Sequence, residues 1–129
     1  MTVLYLGMAG LILTAIGGAI LFTPHAFYGS NDIALGDNAS LLSEIRAPGG
    51  LLLCSGLLIV ASTFQNSLRH TALWLSVLVF GSFGLARLLS IALDGMPSSS
   101  IVAATLIEVL AALVGLVAIR GSRTDRTAD

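Results

Sequence analysis

Residues 43–60 read SEIRAPGGLLLCSGLLIV, in which a glutamate, an arginine, a proline and two glycines stand before an apolar run. With its flanks the run extends over residues 41–64, which meets the roughly 20 mostly apolar residues that a membrane-spanning helix needs. Three further segments, 3–22, 72–93 and 100–119, meet the same requirement. The sequence therefore predicts an all-α protein that is a bundle of four transmembrane helices.

The composition agrees with a membrane protein and excludes several other classes. Of the 129 residues, 56% are hydrophobic and 10% are charged, whereas a soluble domain carries about a quarter charged residues. There is no lysine, and the six arginines nearly balance the seven acids, so no basic face is present for nucleic acid. Cys54 is the single cysteine, and no metal or cofactor motif is present, so we expect no disulfide, metal or cofactor.

The arginines outside the four segments predict how the chain is threaded. Arg69 lies in the second connection, and Arg120, Arg123 and Arg126 lie in the C-terminal tail. Because positively charged loops stay cytoplasmic, we expect both termini in the cytoplasm and the loop 23–40 on the other side. We expect a single membrane domain over residues 1–120 and a short polar tail over 121–129.

The loop 23–40 carries a small apolar stretch of its own. Phe27, Tyr28 and residues 33–35 (Ile-Ala-Leu) are apolar enough to lie along the membrane surface as a short helix. Phe27 and Tyr28 are typical of aromatic side chains that anchor a protein at the interface.

Four ionisable residues lie inside or at the edge of the predicted spans: Glu44, Arg46, Arg87 and Glu108. Each would cost a few kcal/mol if it faced lipid, so each should face the bundle interior, a water-filled cavity or the headgroups. From the helix rise, Arg87 and Glu108 lie about 10 and 13 Å below the outer surface. We therefore expect them to be partners. Ser90 and Asp94 share the helical stripe of Arg87.

Pro48 predicts a bend in the second span. Its ring crowds the carbonyl group of Glu44, and Gly49 and Gly50 ease the bend and let another helix or a ligand approach. A helix that began at Pro48 would be too short to cross comfortably, so we favour a start near Leu41. Either Glu44 then turns toward Arg87 while Arg46 reaches lipid phosphates, or the bend brings both to one site.

Three features together resemble a known family: SEIRAPGG at the start of the second span, ARLLSIALDGMPS (86–98) at the end of the third, and a lone glutamate in the fourth. The family consists of small bacterial four-helix integral membrane proteins, classed as domain of unknown function 4345, and the resemblance covers nearly the whole chain. It implies location in the bacterial inner membrane. It also singles out Glu44, Arg46, Gly49, Gly50, Arg87, Ser90, Asp94, Gly95 and Glu108.

These residues point first to a binding function. A pocket that contained Glu44, Arg46, Arg87, Ser90, Asp94 and Glu108 would hold a small polar or zwitterionic ligand, such as a lipid or quinone head. Arg87 would donate hydrogen bonds to the ligand, and Glu108 would balance its charge. Membrane lipids are the expected partners.

Other functions stay open. The charges could instead fix the register of the helices in an accessory subunit of a larger membrane complex, or in a homo-oligomer. Glu108 or Glu44 could also act as general acid or base in an intramembrane enzyme such as an isomerase. An ion path is disfavoured because residues 109–119, VLAALVGLVAI, offer no polar relay.

Overall fold

The computed structural model describes residues 1–124, the last three of them as backbone only. Five α-helices follow one another: α1 (Thr2–Phe22), α2 (Pro24–Gly29), α3 (Ala39–Phe64), α4 (Arg69–Asp94) and α5 (Ser99–Thr124). A 3₁₀ turn, Asn66–Leu68, joins α3 to α4, and no strand occurs in residues 1–124. The helices α1, α3, α4 and α5 are each long and apolar enough to span a membrane. The predicted four-helix membrane bundle is confirmed.

The helix ends have identifiable causes. Asn38 caps α3, since its side-chain Oδ1 accepts a hydrogen bond of 3.1 Å from the amide of Leu41. Pro24 starts α2 at a position where a missing N–H costs nothing. Gly95 ends α4 with φ 95° and ψ −173°, a backbone conformation that essentially only glycine adopts without strain. This conformation gives Gly95 a structural role at the end of α4.

Two boundaries differ most from those read from hydropathy. Helix α4 begins at Arg69 instead of residue 72, and α5 continues to Thr124 instead of ending at 119, so part of the predicted tail is helical. Hydropathy ends a span at the first polar residues, but the backbone can continue its hydrogen bonds beyond them. Arg126 and residues 125–129 as a whole lie outside the described part of the chain.

Pro48 lies inside α3, because that helix begins at Ala39. The start near Leu41 was therefore the better prediction, and the start at Pro48 was wrong. Proline lacks the amide hydrogen that would bond to the carbonyl group four residues earlier, which belongs to Glu44.

Helix α1 packs closely along α3 through four glycines. Gly10 and Gly17 on α1, and Gly49 and Gly56 on α3, recur at the same seven-residue interval. A Cβ atom added to Gly17 would collide with the backbone nitrogen of Leu53, and one added to Gly56 would lie 2.8 Å from the carbonyl oxygen of Gly10. Absence of side chains lets the two backbones touch, which favours helix association in lipid. Gly50, by contrast, faces open space.

Helices α4 and α5 form the second hairpin, with Gly84 against Val109. We call the end of the bundle where residues 23–38 connect α1 to α3 the loop end, and the opposite end the terminal end. At the terminal end the hydroxyl group of Tyr5 donates to the carbonyl oxygen of Ala111 at 2.9 Å and lies 3.1 Å from Ser76 Oγ. These contacts join α1, α4 and α5.

Helix α2 folds back over the loop end. It covers residues 24–29 only, and Ile33, Ala34 and Leu35 lie outside any helix, so the predicted surface helix is shorter than expected. Phe27 and Tyr28 pack against the core, with their ring centroids 5.5 Å apart in an edge-to-face arrangement. Burial against the bundle removes more of their apolar surface from contact with water than an interfacial position would.

Candidate functional site

A cavity of about 330 Å³ lies between the two hairpins, toward the loop end. Its walls come from all four long helices and from the loop. The lining side chains are mostly apolar: Ile12, Leu13, Ile16, Ile20, Phe27, Tyr28, Ile33, Leu52, Val79, Phe80, Phe83, Ile101, Ala104 and Ile107. The polar members are Asn31, Arg87 and Glu108. The site is thus an apolar chamber with a few polar groups, which is typical of small-molecule pockets.

Arg87 of α4 and Glu108 of α5 form an ion pair at the cavity. The Nε atom of Arg87 donates to both carboxylate oxygens of Glu108, at 3.2 Å to Oε1 and 3.0 Å to Oε2. The Arg87 side chain is 34% exposed and that of Glu108 is 14% exposed. These are the two residues that the sequence predicts as partners, because neither charge could face lipid alone.

This ion pair leaves the two terminal nitrogens of Arg87 without a hydrogen-bond acceptor in the described part of the chain. Within residues 1–121, the guanidinium has no acceptor other than Glu108, and that contact uses Nε alone. An arginine carries five N–H donors in a planar fork, four of them on its two terminal nitrogens. These four donors remain available to a molecule in the cavity.

The loop forms the rim of the cavity through a tight turn at the end of α2. The amides of Asp32 and Ile33 donate to the carbonyl oxygens of Gly29 and Tyr28, at 3.2 and 3.1 Å, and Asp32 has φ 62°. These two hydrogen bonds have the pattern of a Schellman turn, in which one residue takes a left-handed conformation that aspartate tolerates better than most. The turn directs both Tyr28 and Ile33 toward the cavity.

Asn31 is a cavity residue that the sequence argument missed. Its side-chain amide donates to the carbonyl oxygen of Phe27 at 3.0 Å, which holds the side chain beneath the turn. The available signal was its position three residues after the aromatic pair Phe27 and Tyr28. Because helical periodicity does not apply in a loop, the sequence does not predict which way the Asn31 side chain points.

The structure does not bring Glu44 or Arg46 to the cavity. Glu44 is exposed, and the Nε atom of Arg46 donates to the carbonyl oxygen of Leu21 at 3.2 Å, at the C-terminal end of α1. The cause is the rotation of α3. Gly49 faces α1, which places Arg46 beside α1, whereas Glu44 lies about 140° around the helix from Gly49. The expectation that Glu44 turns toward Arg87 is not met, and Arg46 caps a helix where cations are favourable.

Ser90 and Asp94 also lie outside the cavity. Both are exposed, and the hydroxyl group of Ser90 donates to Oδ2 of Asp94 at 3.0 Å. They share a helical stripe with Arg87 but lie one and two turns closer to the end of α4. Of the six residues predicted to bind a ligand, the cavity therefore contains Arg87 and Glu108. Among the described residues, no three His, Cys, Asp or Glu side chains are placed to hold a metal ion.

Comparison with known proteins assigns the chain to a family. A family model described as "Domain of unknown function (DUF4345)" matches residues 1–119. No curated protein and no solved structure matches the chain. The match covers all of α1 to α4 and most of α5, including both residues of the ion pair. The resemblance read from the sequence is confirmed, and this multi-pass membrane protein belongs to the DUF4345 family.

Proposed function

We propose that the protein binds a small amphipathic molecule, with its polar head at Arg87 and its apolar part between α1 and α5. The observation that carries the proposal is the combination of an apolar chamber with a guanidinium whose terminal nitrogens have no acceptor within residues 1–121. A hydrogen bond from these donors to an acceptor among apolar side chains is stronger than the same bond in water, because the local dielectric constant is lower. A purely structural ion pair needs no chamber beside it.

The size of the chamber indicates how much of a ligand it can enclose. Its volume of about 330 Å³ lies at the lower end of the range for small-molecule sites, roughly 300–1,000 Å³. Along α1 the lining extends from Ile12 to Ile20, which corresponds to about 12 Å of helix. The chamber therefore suits a head group together with the first part of an apolar chain, and the remainder of a long chain would extend into lipid.

An acid or base role for Glu108 has less support. Both of its oxygens accept hydrogen bonds from Arg87 Nε, so proton transfer would first require that this pair opens. Glu44, the other carboxylate considered, is exposed outside the chamber. An accessory subunit in a larger complex is a second proposal, and the experiment on the bound ligand also tests it.

The experiment compares the wild-type protein with two arginine variants by native mass spectrometry after gentle extraction from membranes. Wild-type protein is expected to retain a small molecule, and Arg87→Gln to lose it while the fold survives. Arg46→Gln is the matched control, since Arg46 lies at the same end of the bundle but outside the chamber. Retention of the same molecule by Arg87→Gln would contradict the proposal. A larger protein bound at a fixed ratio would support the accessory-subunit function.

We further propose that the protein lies in the bacterial inner membrane with both termini in the cytoplasm. Arg69 and Arg120 support this orientation, since both lie at the terminal end of the bundle, whereas Asp32, Asp37 and Asp94 lie at the loop end. Reporter fusions test it: a fluorescent protein at the C-terminus should be bright, and alkaline phosphatase there should be inactive. Active phosphatase at that terminus would reverse the orientation.

A further inference from the structure

We infer that the chamber selects an uncharged, ring-shaped head that bears carbonyl oxygens, as a quinone does, over a carboxylate or an ammonium head. The inference rests on the proposed binding function and narrows it to one class of ligand. Three observations carry it. The charge of Arg87 is balanced by Glu108, the hydrogen-bonding groups of Arg87 without a partner in residues 1–121 are donors, and aromatic side chains line the chamber.

The charge of Arg87 is already balanced inside the protein. Glu108, 14% exposed, holds its carboxylate 3.0 Å from Arg87 Nε. The third polar side chain of the lining, Asn31, is uncharged. A carboxylate head would therefore bring an uncompensated negative charge beside Glu108 in a site of low dielectric constant, and an ammonium head would meet the guanidinium. A neutral head avoids both penalties.

The unoccupied polar atoms at Arg87 are donors. Its terminal nitrogens contact no acceptor in residues 1–121, whereas both oxygens of Glu108 already accept from Nε. The complement of an unpaired N–H group is an acceptor oxygen, and a carbonyl group supplies one without a net charge. An alcohol oxygen could also accept a hydrogen bond, but its hydroxyl hydrogen is a donor that would need an acceptor beside the N–H groups of Arg87.

Aromatic residues are concentrated around the chamber. The chain has eight aromatic residues, namely five phenylalanines, two tyrosines and one tryptophan, and four of these eight line it: Phe27, Tyr28, Phe80 and Phe83. Aromatic side chains pack against flat rings in stacked or edge-to-face arrangements, as Phe27 and Tyr28 already do with each other. A plain alkyl head would not use this geometry.

The test uses three probes with ten-carbon chains, counting the carboxylate carbon of the second: a decyl-substituted benzoquinone, decanoate and decyltrimethylammonium. Their affinities are measured by calorimetric titration of the full chain in phosphatidylcholine nanodiscs, with empty nanodiscs to subtract partition into lipid. The quinone is expected to bind at least about tenfold more tightly than either ion, a difference that corresponds to one decade in Kd.

Glu108→Gln supplies the second measurement, because it leaves the shape of the site intact but removes the balancing charge. Decanoate is expected to gain at least about tenfold in affinity in this variant, while the quinone changes much less. If Glu108 served only to hold the helices together, its replacement would not raise the affinity for decanoate relative to that for the quinone.

The possible results distinguish a failure of the inference about ligand class from a failure of the proposed binding function. Decanoate or decyltrimethylammonium binding as tightly as the quinone to the wild type would overturn the inference and leave the binding function intact. No binding of any probe, with no small molecule retained on purification, would overturn the binding function itself. If Glu108→Gln does not fold, the ranking of the three probes on the wild type still decides the inference.

Discussion

The loss of stability on breaking the Arg87–Glu108 ion pair depends on which of the two residues is removed. The Arg87 side chain is 34% exposed and can recover water or headgroup contacts, whereas Glu108 is only 14% exposed. Loss of Arg87 would therefore leave the more buried charge without a partner. The two partners should differ in their effect on stability.

We expect Arg87→Ala to lower the free energy of unfolding by about 3 kcal/mol. Glu108→Ala should lower it by roughly 1 kcal/mol, closer to the effect of an exposed pair. Unfolding by SDS in mixed micelles measures both. Asp94→Asn, at an exposed position on the same helix, serves as the control. Equal losses from Arg87→Ala and Glu108→Ala would show that the exposed fractions do not govern the cost.

The pairing of Arg87 with Glu108 could be predicted because burial of either charge alone is so unfavourable that few arrangements are possible. The positions of Glu44 and Arg46 could not be predicted in the same way. Both lie near a helix end, where water or headgroups can solvate them, so several rotations of α3 have similar energies. The contacts that choose among these rotations are made further along the helix, at Gly49 and Gly56.

At the scale of helices, the glycine contact between α1 and α3 is the most constrained part of the fold. Gly17 lies against the backbone of α3, where an added Cβ would be 2.7 Å from the carbonyl oxygen of Gly49. Its neighbour Gly18 has nothing within 4 Å of the same position. One added methyl group should therefore have opposite effects at two adjacent residues.

Gly17→Ala is expected to lower the free energy of unfolding by about 1–3 kcal/mol, because the backbones must separate. Gly18→Ala should raise it by up to about 1 kcal/mol, since alanine is the better helix former. SDS titration of the two purified variants compares them directly. Similar behaviour of both would mean that α1 does not approach α3 at Gly17.

The shared interval of seven residues in α1 and α3 was present in the sequence, but its meaning depends on which helices pair. Gly49 and Gly50 looked equivalent as a flexible point after Pro48, although only Gly49 faces α1. Hydropathy located the four long helices because each must be long and apolar enough for the bilayer. It carried no information on the rotation of each helix about its own axis.

At the scale of the whole molecule, the chamber is a gap between two hairpins that are each well packed. Ala104 of α5 lines this gap, and the adjacent Ala103 is exposed. A large apolar side chain at position 104 would fill part of the chamber. At position 103 it would face the surroundings of the bundle.

Ala104→Phe is expected to stabilise the protein by about 1 kcal/mol, as cavity filling commonly does. It should also weaken binding of the decyl-substituted benzoquinone at least about tenfold. Ala103→Phe should change neither quantity. Calorimetric titration and SDS unfolding provide the two readings. Unchanged affinity in Ala104→Phe would place the ligand elsewhere.

Helix α5 is the least buried of the four long helices: 11% of its most apolar stretch is buried, against 33% in α1 and in α3. It nevertheless lines the chamber through Ile101, Ala104, Ile107 and Glu108. Helix α5 contacts α1 at few positions and α4 at many, so an opening between α1 and α5 would leave the α4–α5 hairpin and its ion pair intact. A molecule dissolved among the acyl chains would then arrive sideways and reach the guanidinium without ever passing through water.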